Sequence, residues 1–137
     1  MAPGGDRLRI DVPVGLAHLG EVRGHLVDAA RAWGFGDLHD LEIVVSELVT
    51  NAITHTGGAD SVECRLLAPG EVEVAVRDGS ADLPRTVAPY EHHTRGHGLV
   101  IVESIAQEWG VRERSATGKT VWARLVADAP TSPPVEG

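Results

Sequence analysis

An α+β two-layer sandwich is the fold class this sequence predicts: a mixed, mostly antiparallel sheet with its helices packed on one face. Two long stretches of helical period come first, near the N-terminus, with one strand-like run ahead of them. Four alternating apolar–polar runs follow, in two pairs, each pair separated by turn residues. The resulting order, β-α-α-β-β-loop-α-β-β, puts neighbouring strands antiparallel and leaves the helices together on one side.

Each element has a local cause. Arg7 to Val12 alternates, with Leu8, Ile10 and Val12 on one face, and reads as a strand. Pro13 opens a helix over 14–33, whose inner face is Leu16, Leu19, Val22, Leu26, Ala29 and Ala30; Gly34 ends it. Asp37 is a good N-cap for a second helix to Thr56, and Gly57-Gly58 terminates that helix. Strands at 61–67 and 71–77 form a hairpin across Ala68-Pro69-Gly70. No period survives from 78 to 95, and a loop of that length in a small domain is often a functional lid. A third helix spans 99–108, and strands at 110–114 and 120–127 meet across Ser115-Ala116-Thr117-Gly118. Trp109 and Trp122 are expected in the core or on a sheet face. The domain is expected over 7–127, with residues 1–6 and 128–137 disordered; the latter hold Pro130, Pro133 and Pro134.

Composition narrows the function. A net charge of −8 argues against a general binder of phosphate backbones, so no direct nucleic-acid contact is expected. No apolar run approaches the roughly 20 residues that span a bilayer, and the N-terminus lacks the pattern of a signal peptide. The single cysteine, Cys64, falls at an apolar position of an alternating strand and reads as a buried structural thiol. A cytoplasmic location is the expectation. His92, His93 and His97 form the one histidine cluster, but their spacing does not match a zinc-binding helix, and a polar lid is the simpler reading.

Three segments carry chemistry. In Ser46-Glu47-Leu48-Val49-Thr50-Asn51-Ala52, Glu47 and Asn51 lie one turn apart and point the same way, along the edge of an apolar stripe. Such a pair is commonly just solvated. It also suits a site that holds a hard cation and keeps a base beside it. Asp78-Gly79-Ser80 follows a strand, where a carboxylate can accept from an exocyclic amine and a glycine lets a flat ring approach, although Asp-Gly is equally a plain turn. Gly96-His97-Gly98 precedes a helix, whose N-terminal N–H groups can bind phosphate. It is neither a Walker A loop nor a dinucleotide fingerprint.

Taken in order, Glu-x-x-x-Asn, Asp-Gly and Gly-x-Gly resemble the GHKL ATPase superfamily of gyrase, Hsp90, histidine kinases and MutL. Within it the chain looks most like the stand-alone bacterial anti-sigma factor serine-protein kinases. The likeness runs over nearly the whole length: Ala32-Trp33-Gly34, Glu42 to Asn51, Asp78-Gly79-Ser80, Gly96 to Val102, Trp109-Gly110-Val111 and Gly118 to Trp122.

The resemblance implies a Bergerat-type ATP-binding sandwich and gives residues their roles. Asn51 would ligate Mg²⁺, and Glu47 would be the catalytic carboxylate. Asp78, beside Gly79, would read the adenine amine. Gly96, His97, Gly98 and Leu99 would border the lid and touch phosphate. Thr120 would lie beneath the adenine and work with the aspartate, and His55 would sit near the nucleotide. The implied activity is Mg-ATP-dependent phosphorylation of a serine on an antagonist protein, with sequestration of a sigma factor and hence control of transcription. A homodimer is compatible with this. The alternative is a GHKL-fold interaction module that binds nucleotide weakly or does not turn it over. Its support is the run Asp78-Gly79-Ser80-Ala81-Asp82, which lacks the further glycine many members of the superfamily carry.

Overall fold

The computed structural model describes residues 6–11, 16–56, 59–78, 97–115 and 118–127, with the side chains at 16, 55–56, 97–99 and 113–115 excepted. The elements run β1 (Arg7–Ile10), a 3-10 turn (Leu16–His18), α1 (Leu19–Ala32), α2 (Leu38–Thr56), β2 (Ser61–Ala68), β3 (Glu71–Asp78), α3 (His97–Ile105), β4 (Glu108–Ser115) and β5 (Gly118–Val126). The five strands form one sheet in the order β1-β2-β3-β5-β4, and every pairing is antiparallel. The expected sandwich is therefore present, its described sheet antiparallel throughout rather than mixed. The opening of the first helix at Pro13 and both termini lie outside the described residues.

The alternation of the sequence sets the two faces of the sheet. Val62 and Cys64 of β2, Val72, Val74 and Val76 of β3, and Val121, Ala123 and Leu125 of β5 all face inward and are buried. The helices cover this face. α1 contributes Val22, Leu26, Val27 and Ala30, and α2 contributes Leu41, Val44, Val45, Leu48, Val49 and Ala52. Burying each large aliphatic side chain of this set stabilises the fold by about 1.5–3 kcal/mol. α2 is the central helix, in contact with α1, α3, β3 and β5.

The outer face carries charge instead. Arg7 pairs with Glu63 at 2.9 Å, Arg112 with Glu73 at 2.8 Å, and Arg124 with both Glu71 and Glu108 at 2.9 Å. Trp122 lies on this face, its ring 5.0 Å from the Arg112 guanidinium and packed over Gly110, where an added Cβ would come within 3.1 Å. Trp109 packs against the core. Both tryptophans are thus core or sheet-face residues, as expected.

Local signals account for the element ends. Gly34 has φ +86°, its N–H donates to the Arg31 carbonyl at 3.0 Å, and the Phe35 N–H donates to Ala30 at 3.0 Å. These are the two bonds of a Schellman ending, and buried Phe35 supplies its apolar contact. At the start of α2 the Asp37 carbonyl accepts from the Leu41 N–H at 3.1 Å, as an N-cap carbonyl should. The β2–β3 turn uses Gly70 at φ +77°. Several boundaries differ from expectation: β1 ends at Ile10 rather than Val12, residues 16–18 form a 3-10 turn ahead of α1, α3 opens at His97 rather than 99, and β4 begins at Glu108 rather than 110. The third helix stops at Ile105 rather than 108, because the Gln107 N–H donates to Arg124 and Glu108 already pairs with Arg124 in the sheet. Sheet pairing overrides the helical period there.

Candidate functional site

The site is built on α2 and on the adjoining ends of β3 and β5. On α2, Asn51 is buried and Glu47, one turn earlier, is half-buried, as expected for residues edging an apolar stripe. Their helix is tied to α1 beside the pair, where Arg23 donates to the Ser46 hydroxyl at 2.9 Å. Leu48 and Val49, between the two polar residues, are fully buried, so the backbone that carries Glu47 and Asn51 is anchored by the core.

Asp78 is the last residue of β3 and continues the inward set Val72, Val74, Val76. A polar carboxylate thus replaces the next expected valine, on the face the helices cover. It is 2% exposed, and Lys119 stands directly opposite it on β5. The Lys119 Nζ donates to Asp78 Oδ2 at 2.5 Å, with the two side chains 0% and 3% exposed. A lysine is almost never fully buried unless paired. Here the desolvation of both ions is offset by their mutual attraction and a charge-assisted hydrogen bond.

Thr120 does not join this group. It is paired with Arg77, so it lies on the other face of the sheet, where it lines a shallow groove with Arg9, Ser61, Glu63, Ala75, Arg77 and Arg112. The side chain paired with the aspartate in this structure is that of its neighbour, Lys119. The reason is the period of two along a strand: a shift of one residue exchanges the faces. The signal was present in the sequence. Val121, Ala123 and Leu125 form the apolar set of β5, and counting back by two reaches Lys119.

The other expected residues are placed in part. His55 falls in the last turn of α2, and His97, Gly98 and Leu99 open α3, which leads through buried Val102 to the core. Gly79, Gly96, His92, His93 and the expected lid lie outside the described residues. Among the described residues no three His, Cys, Asp or Glu side chains cluster to hold a metal ion. A single amide oxygen such as that of Asn51 fits Mg²⁺, which keeps several waters and takes further ligands from phosphates. Cys64 is fully buried, and burial pushes its thiol up to about 12, so the structural reading of this residue holds. Among the described residues no helix is long and apolar enough to cross a membrane.

Residues 12–125 match the family model of the histidine kinase-like ATPase domain. The chain belongs to that family, and the expected GHKL membership stands. Among solved structures it is similar to a chain of the SiaB–SiaC complex from Pseudomonas aeruginosa, with a TM-score of 0.57 and 18% identity over 87% of this chain and 88% of that one. At that identity the likeness concerns the fold. No curated protein matches the chain significantly.

Proposed function

We propose that this chain is an ATP- and Mg²⁺-dependent regulatory protein-serine kinase of the anti-sigma type. The observation that carries the reading is the polar set on the helix-covered face of a histidine kinase-like ATPase domain. Buried Asn51 and half-buried Glu47 share one edge of α2, and α2 packs on β3, which ends in buried Asp78. Apolar residues would serve a plain core better at the two buried positions, Asn51 and Asp78.

In this reading Asp78 accepts from the exocyclic amine of the base. Asn51 holds Mg²⁺ through its amide oxygen, and the ion when bound neutralises charge on the phosphates. Glu47 takes the proton from the serine hydroxyl of a protein substrate as its oxygen attacks the γ-phosphorus and ADP leaves. The residues of the Gly96–Leu99 segment that open α3 offer backbone N–H groups to phosphate. The protein substrate is an antagonist protein, and a sigma factor is the second, competing partner. The solved neighbour comes from a two-protein complex, which supports a protein partner. The domain covers 7–127.

Calorimetric titration of ATP with and without Mg²⁺, on the unaltered chain and on Asn51→Ala, is the first test. Binding that needs Mg²⁺ and is weakened by Asn51→Ala supports the site, and radiolabel transfer to a protein serine then tests the kinase step. No binding at millimolar ATP refutes it. One observation favours a second reading, an interaction module without turnover: the Asp78 carboxylate is already engaged by Lys119.

A further inference from the structure

We infer that the hollow on the outer face of the sheet binds a small oxyanion of the phosphate class. It lies on the face away from the helices, so the inference goes beyond the nucleotide reading and does not depend on it. Arg77 and Thr120 face outward there, while their chain neighbours Asp78 and Lys119 face the helices.

The register builds the hollow. Ala75 of β3 stands opposite Glu63 of β2 on one side and Trp122 of β5 on the other, and Arg9 of β1 stands beyond Glu63. In the next row, strands β2, β3, β5 and β4 present Ser61, Arg77, Thr120 and Arg112. Ala75, Ser61 and Thr120 are short, and the arginines around them are long, so the sheet is dished at this point. The space is about 210 Å³. A water's share of the liquid is about 30 Å³, so one tetrahedral anion fits with water beside it.

The lining has the chemistry of an anion site. It holds three arginines and one glutamate, on a chain whose net charge is −8. In the row of Thr120, Arg77 and Arg112 stand one on either side, and the four strands bring no carboxylate to that row. Arg112 donates to Glu73 at 2.8 Å and Arg9 donates to Asp11 at 2.6 Å. Each of these bonds uses one nitrogen of a guanidinium that carries five N–H donors. The buried residues Ser61 and Thr120 add hydroxyls to the same space. A phosphate can accept from guanidinium groups at its sides and from a hydroxyl below, in short charge-assisted bonds. An acidic peptide is a poorer match. Farther along this face Arg65 pairs with Glu73, and Arg124 with Glu71 and Glu108, so no basic track continues from the hollow.

The experiment is a titration of the isotopically labelled chain with inorganic phosphate, followed by nuclear magnetic resonance, with chloride at matched ionic strength as the control. Saturable shifts are expected at the backbone N–H groups of Ser61, Arg77, Thr120 and Arg112, and none with chloride. Arg77→Gln is expected to weaken phosphate binding at least about tenfold, the worth of one hydrogen bond to a charged group. Ala75→Leu fills the floor and keeps every charge, and it is expected to remove the saturable response. A response that does not saturate, or that spreads over all the surface arginines, overturns the inference, and this arm needs no variant. Shifts confined to α3 report phosphate at the nucleotide site and overturn it too. So does a saturable response that persists in folded Ala75→Leu, because general attraction to the arginines is indifferent to the added side chain. Phosphoserine as a second probe separates the sources of the anion. Binding tighter than that of phosphate assigns a phosphomonoester, and equal or weaker binding assigns the free ion.

Discussion

Removing the Lys119 ammonium should be among the most costly single changes in the molecule. Lys119→Met keeps much of the side-chain length and apolar stem but removes the ammonium paired with the Asp78 carboxylate, which is 2% exposed. Breaking a buried pair from one side costs about 3–5 kcal/mol. A domain of this kind has about 5–15 kcal/mol in total. In urea, with a slope of about 2 kcal/mol per molar, the unfolding midpoint should fall by roughly 2 M. The double variant Asp78→Leu/Lys119→Met removes both charges, and replacing a buried pair by apolar residues is often neutral. It should regain most of the loss, so the two substitutions are strongly non-additive. Urea unfolding followed by circular dichroism on the four proteins measures this directly. A Lys119→Met cost below about 0.5 kcal/mol, or simple additivity, would refute the reasoning and mean that water or another group takes over the carboxylate.

Three further outcomes follow from the same structure. Gly34→Ala forces a side chain into φ +86° where nothing stands within 4 Å, so it should destabilise by about 1 kcal/mol through backbone strain alone, readable as a lowered thermal midpoint. Cys64 has its pKa raised in the fold from 9.0 to about 12, chiefly by burial. Its contribution is therefore complete below about pH 9 and is lost as pH rises from there, because only the unfolded chain can form the thiolate. Cys64→Ala should flatten that part of the stability–pH curve, and the native thiol should resist alkylation until the chain unfolds. Glu47→Gln should lower phosphoryl transfer by about 10²–10⁴-fold while ATP affinity, measured in the same samples, changes little.

Much of this architecture was legible because it is local. The Schellman ending at Gly34, the α2 start at Asp37 and the hairpin at Pro69-Gly70 are each decided by residues within a few positions of one another. The Glu47–Asn51 pair was legible for the same reason, since helical spacing alone relates its members. What escaped was long-range. The end of α3 is determined by the claim of Arg124 on Glu108 and Gln107, residues far apart in the chain. The partner of Asp78 is 41 residues away and depends on strand register. A family likeness aligned on Gly118 to Trp122 pointed at Thr120, one residue from the side chain that reaches the aspartate. Parity along β5 distinguishes the two, but only once β3 and β5 are known to be neighbours.

The sheet order has a consequence for the order of events during synthesis. β5, the last strand made, is inserted between β3 and β4, both of which leave the ribosome before it. Until it arrives, one edge of β3 has no partner and β4 has no neighbour in the sheet. A nascent chain halted before Gly118 would thus present an open strand edge, a template for pairing with other chains. It would also have no Lys119 to neutralise Asp78, so the buried ion pair comes into being at the same moment as the closed sheet. A chain truncated before β5 would then be expected to aggregate rather than persist in solution with its sheet half made.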